Sequence, residues 1–237
     1  MEALIALITL TLMEIVLGID NIIFVAIQVG RLPKSEQKRA RTLGLMLALI
    51  FRIALLFSLT WIMSLVEPWF TLFGHAFSGR DLILLGGGLF LVGKSTGEIH
   101  HKIQGIEDHS KPEDEQPKQK TKLMNAIIQI MMIDIVFSFD SVITAVGMVQ
   151  NLPIMIAAVV ISMIVMILVS GNISDFIERN PTIKILALSF LILIGTMLIV
   201  EGMGTHVSKG YVYFAMAFSL GVESLNIHYR KKTSEKK

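Results

Sequence analysis

The chain has 237 residues, 53% of them hydrophobic, which exceeds the roughly 45–50% usual for a soluble domain. With a mean hydropathy of +0.68 and apolar runs of about twenty residues, it reads as a membrane protein rather than a large soluble core. The net charge of +2 comes from the links between those runs, where basic residues set topology and touch anionic lipid, so nucleic acid is excluded as a partner; with no Cys there is neither a disulfide framework nor a thiolate metal site.

Backbone groups in lipid must be satisfied within their own segment, so the runs are predicted to be helices. Seven are predicted, over residues 3–29, 43–66, 82–97, 123–149, 154–170, 183–200 and 211–229. The first has no basic stretch before it and carries two acids, which speaks against a cleaved signal peptide. Its residues 13–23 read Met-Glu-Ile-Val-Leu-Gly-Ile-Asp-Asn-Ile-Ile. Glu14 and Asp20 are six apart, about 9 Å of rise and roughly 120° of rotation on a regular helix. Two readings follow: each acid meets a different partner, or the helix opens at Gly18 to expose carbonyl groups to a cation. Close packing is the plainer role for Gly18.

The second run hides Arg52, too deep to reach water easily. A buried guanidinium needs a partner, and the acids of the first run are the obvious supply, whether for a structural ion pair or for transport. The third run ends in Gly88-Leu-Phe-Leu-Val-Gly-Lys-Ser, a literal match to a phosphate-binding loop. That match is rejected, because such a loop follows a strand and leaves its N–H groups free. Lys94 and Glu98 read instead as a pair four residues apart on one helix face. Residues 99–122 form a charged linker with two prolines. Its His100, His101 and His109 read as solvated rather than metal-binding.

The fourth run repeats the first. Residues 133–143 read Ile-Asp-Ile-Val-Phe-Ser-Phe-Asp-Ser-Val-Ile, so Asp134 and Asp140 match Glu14 and Asp20 at an offset of 120, with Ser138 in place of Gly18. Three spans separate the copies, so they run in opposite directions. The predicted fold is all-α with seven transmembrane helices, a 3+3 inverted-topology repeat plus one extra helix. Its parts are residues 1–98 as the first repeat, 99–122 as a cytoplasmic linker, 123–202 as the second repeat, and 203–237 as the seventh helix with a basic tail. Beyond the motif the echo is faint, Gly93 and Glu98 answering Gly195 and Glu201. By depth, Glu14 should meet Asp140, and Asp20 should meet Asp134. Asp175, Glu178 and Arg179 are placed in a loop closed by Asn180 and Pro181. Glu201, Glu223 and Asn226 are placed near span ends, facing the interface. The fourteen Met residues follow no repeat and are assigned to packing.

Of the twenty-one Lys and Arg residues, eighteen fall on one side of this arrangement. Only Arg80 and Lys209 fall on the other, and Arg52 lies within a span. The positive-inside rule then puts the C-terminus in the cytoplasm and the N-terminus outside a plasma membrane.

Carboxylates with Asn21 and Ser141 beside them make a hard, all-oxygen set suited to Mn²⁺, Mg²⁺ or Ca²⁺. Four such acids cannot all be charged in an empty low-dielectric site, so a cation should displace protons, with Arg52 offsetting the remaining charge. Taken together, the two motif copies, the Gly-Gly-Leu-Phe-Leu stretch with Lys94 and Glu98, and the closing Glu-Ser-Leu-Asn of residues 223–226 resemble the TerC family of integral membrane proteins. The resemblance covers almost the whole chain. It implies a seven-helix protein of the LysE-like transporter superfamily, associated with manganese efflux and, by name, with tellurite resistance. Glu14, Asp20, Asp134 and Asp140 would then be its metal-pathway acids, with Mn²⁺ as cargo and no prosthetic group. A second reading is a factor for membrane assembly or metal delivery, which would dock membrane or exported proteins on the linker. An intramembrane aspartyl protease, the one enzyme considered, is disfavoured because Gly-x-Gly-Asp is absent.

Overall fold

The computed structural model describes residues 1–58, 61, 63, 65–72, 75–104, 115–149 and 151–234. Seven helices of more than twenty residues account for most of them: α1 (Glu2–Val29), α2 (Lys34–Phe57), α3 (Gly79–Ile103), α4 (Glu115–Met148), α5 (Leu152–Arg179), α6 (Pro181–Gly202) and α7 (Lys209–Ser234). The first six are long and apolar enough to cross a membrane.

Their boundaries follow local chemistry. Ser78 and Asp81 form a reciprocal capping box, the Asp81 N–H donating to Ser78 Oγ (3.3 Å) and the Ser78 N–H to Asp81 Oδ2 (2.9 Å), so α3 starts with Arg80 in its first turn. Asn151 caps α5 through its side-chain oxygen, with Pro153 in the first turn. Pro181 opens α6. Gly204, at φ 83°, turns the chain from α6 towards α7, a left-handed conformation that suits glycine.

Several boundaries differ from the sequence expectation. The second helix begins at Lys34 and stops at Phe57, so the basic residues 34–41 extend it instead of forming a loop. Nothing obliges a helix to end where lipid ends, and these residues are good helix formers. For the same reason Asp175, Glu178 and Arg179 occupy the last turns of α5. The linker is narrowed from both sides by α3 and α4; residues 105–114, including His109, lie outside the described residues. Between α2 and α3 lies an antiparallel hairpin that the sequence reading lacked, β1 (Pro68–Leu72) against β2 (His75–Ser78), with Phe70 stacked on Phe77 at 5.5 Å.

The helices pack chiefly as α3 with α6, α1 with α5 and α2 with α4, while α1 with α4 and α2 with α5 also touch. Small residues set the closest approaches. A Cβ on Gly88 would lie 2.6 Å from the Gly195 carbonyl oxygen, and one on Gly195 would lie 2.9 Å from that of Gly88, so α3 and α6 cross backbone to backbone. A Cβ on Gly18 would run into Met166 Sδ of α5. Both motif helices are continuous at Gly18 and Ser138, which decides for close packing over an opened helix. One apolar core joins α1, α2, α4 and α5, and a second joins α1 to α3, α6 and α7. α7 rests mainly on α6 through Val212 and Met216, with Tyr211, Phe214, Phe218 and Leu225 exposed on its outer face. Among the described residues, this expected seventh span is not one of the helices long and apolar enough to cross a membrane.

Candidate functional site

All four motif acids are buried: Glu14 is 2% exposed, and Asp20, Asp134 and Asp140 are 5% exposed each. They fall into two clusters.

The first is built on Arg52, 2% exposed, which α2 projects between α1 and α4. Arg52 Nη1 donates to Glu14 Oε2 at 2.7 Å and Nη2 to Asp134 Oδ1 at 2.9 Å, while Nε reaches both Asp134 oxygens at 3.3 and 3.4 Å. Asn21 Nδ2 and Ser138 Oγ each add a donor to Asp134 at 3.0 Å. A fork of this kind matches a carboxylate and fixes its plane. Two carboxylates around one guanidinium leave one net negative charge.

The second lies at the end where α3 begins and α6 ends. Asp140 Oδ1 accepts from Arg80 Nη2 at 2.8 Å, and Oδ2 pairs closely with the Lys209 ammonium. The same Arg80 nitrogen reaches Glu201 Oε1 at 3.3 Å, with His206 Nδ1 3.7 Å from that oxygen. Two carboxylates against two cations make this cluster formally neutral with His206 uncharged. It lines a cavity of about 650 Å³ that Ser208 and Tyr213 also border. Asp20 lies within electrostatic reach of Lys209, and Tyr213 within reach of both Asp20 and Asp140.

The pairing by depth is therefore not what the structure holds. Arg52 binds Glu14 to its own counterpart Asp134, while Asp20 and Asp140 share the neighbourhood of Lys209. Among the described residues no three acidic or histidine side chains gather as a ready metal cage. Asp20 stands apart: its Oδ1 is buried without a hydrogen-bond partner among the described residues, and so is the side-chain oxygen of Asn21 beside it. Ser141 Oγ turns instead to the Ser138 carbonyl at 3.3 Å. Glu201 is 6% exposed and bound to Arg80, not turned to the interface as its place near a span end led one to expect. Lys94 and Glu98 do pair, at 3.8 Å, and Arg31 joins them closely at Glu98.

Arg80, Lys209 and Glu201 were the residues sequence reasoning missed. The signal was present, because Arg80 and Lys209 are the two strays from the 18-to-2 charge split. With Arg52, they make every basic residue outside the eighteen a partner of a motif acid.

The profile of the Integral membrane protein TerC family matches residues 1–237. A UPF0053 protein of Haemophilus influenzae is 54% identical over 230 residues, covering 97% of this chain and 95% of that one. The UPF0053 inner membrane protein YgdQ of Escherichia coli is 53% identical over 231 residues, with 98% and 95% covered. The longer UPF0053 inner membrane protein YoaE of the same organism is 47% identical over 220 residues, which are 93% of this chain and 42% of YoaE. No solved structure matches the chain significantly. With the full-length profile match, these relatives and the buried acid motifs, the chain belongs to the TerC family of integral membrane proteins.

Proposed function

We propose that the protein exports a divalent metal cation, with Mn²⁺ the favoured ion, in exchange for protons through Glu14, Asp20, Asp134 and Asp140. The observation that carries this reading is Asp20. A carboxylate within a membrane span costs about 2.5–3.5 kcal/mol to insert and is retained where it meets an ion or a proton. Asp20 is buried and, among the described residues, keeps one oxygen without a hydrogen-bond partner, with the similarly unpartnered side-chain amide oxygen of Asn21 beside it. Two hard oxygens left open in a buried site suit a small divalent ion better than copper or zinc.

The packing supports the repeat that such a carrier needs. Exchanging α1–α3 with α4–α6 turns the α1–α5 contact into α4–α2, and both are formed. The same exchange maps the α3–α6 crossing onto itself, with Gly88 and Gly195 trading places. A site between inverted halves can face either side by rocking one half against the other.

Inverted membrane vesicles test the reading. Vesicles holding the protein should accumulate Mn²⁺ in preference to Mg²⁺, Ca²⁺ and Zn²⁺ when the lumen is acidic, the outwardly directed H⁺ gradient driving protons out of the lumen as Mn²⁺ enters. No accumulation of any divalent ion, or equal accumulation by Asp20→Asn, would overturn it.

A further inference from the structure

We propose that Lys209 is a tethered cation occupying a cargo subsite made by Asp140 and Glu201, and that a hard divalent ion displaces it. This rests on the export reading above and adds a second seat, apart from Asp20, at the end of the molecule where α6 passes into α7.

Charge is the first argument. Asp140 and Glu201 are balanced by Arg80 and Lys209, so in this arrangement these two acids have no net negative charge to offer a cation. Release of one built-in cation restores it. Glu201 Oε2 is the second argument: it is buried, without a hydrogen-bond partner among the described residues, on a side chain that lines the cavity. A ligand oxygen is thus already in place beside the one that Lys209 covers.

Lys209 is the cation built to leave. Among the described residues its ion pair is with Asp140, made by a compact ammonium on a flexible stem, whereas one nitrogen of the planar Arg80 guanidinium bridges both carboxylates. Lys209 is also the first residue of α7, where the helix dipole disfavours a positive charge. Its place there gains nothing for the helix, and the topology rule does not explain it either, since it sits on the side poor in Lys and Arg. Arg52 is the contrast: it is wholly enclosed, with four hydrogen bonds to two acids, and is suited to stay.

The test measures Mn²⁺ binding to purified full-length protein by the loss of the free-ion resonance signal. Lys209→Gln should bind Mn²⁺ at least tenfold more tightly than the wild type, and adding Glu201→Gln should remove most of that gain. In the wild type, saturating Mn²⁺ should raise acetylation of Lys209 severalfold, read by mass spectrometry, which needs no variant to fold. Unchanged or weaker binding by Lys209→Gln, or Lys209 acetylation indifferent to Mn²⁺, overturns the proposal. Vesicle transport by the wild type with both readouts flat would leave the export reading standing and remove this one. Tighter binding without transport would do the reverse.

Discussion

Three basic residues define the chemistry at the residue scale. Arg52, Arg80 and Lys209 each lie on a motif acid, and they are the three that the charge split leaves over. Such pairs add little net stability, but removing one partner leaves an uncompensated charge in a low-dielectric site. The two equivalent acids of the motif should therefore respond differently to the same change. Asp20→Asn removes a group with an open oxygen, so transport should be lost with the melting temperature unchanged. Asp140→Asn strips Arg80 and Lys209 of their shared anion, and should cost about 1–3 kcal/mol of stability as well as transport, since both cations keep some contact with water. Thermal unfolding of the two variants, measured alongside vesicle uptake, checks this; equal melting temperatures would contradict it. The acids and Arg52 were legible because charge inside an apolar run is conspicuous. The roles of Arg80, Lys209 and Glu201 were not, because each lies at a helix end where charge is ordinary.

At the scale of elements, the runs marked all seven helices, while their ends and the hairpin escaped. Hydropathy reports what lipid tolerates, not where a helix stops, so Lys34–Arg41 and Asp175–Arg179 were assigned to links although they continue α2 and α5. Trp69 and Phe70 are as apolar as a span, and only the strand pairing after Pro68 separates them from one. Glycine positions carry the packing, with unequal tolerance. Gly88→Ala would press a methyl group against the Gly195 backbone, which cannot yield without parting α3 from α6, at a cost of about 1–3 kcal/mol. Gly18→Ala meets the flexible end of Met166 and should cost under about 1 kcal/mol. Melting temperatures in the same detergent should rank the two in that order, and the opposite ranking would place the tight crossing elsewhere.

At the scale of the whole molecule, the proposal is an inverted pair of three-helix units that keep their acids near the middle of a membrane, plus α7, which brings Lys209. The duplicated motif is what suggests the repeat. The pairing across it was not legible, because depth along ideal parallel helices ignores tilt and the reach of Arg52. Orientation is a separate consequence of the charge split: reporters fused to the two termini should show the N-terminus outside and the C-terminus in the cytoplasm. Both reporters on one side would leave an even number of spans and take α7 out of the membrane. The central claim is that these acids trade protons for a metal ion, and calorimetry of Mn²⁺ binding in buffers of different ionisation enthalpy reads it directly. The wild type should release about one to two protons per ion at neutral pH, as expected for coupled buried carboxylates, and Asp20→Asn should release fewer. Tight binding with a proton count near zero, unchanged in Asp20→Asn, would contradict the account.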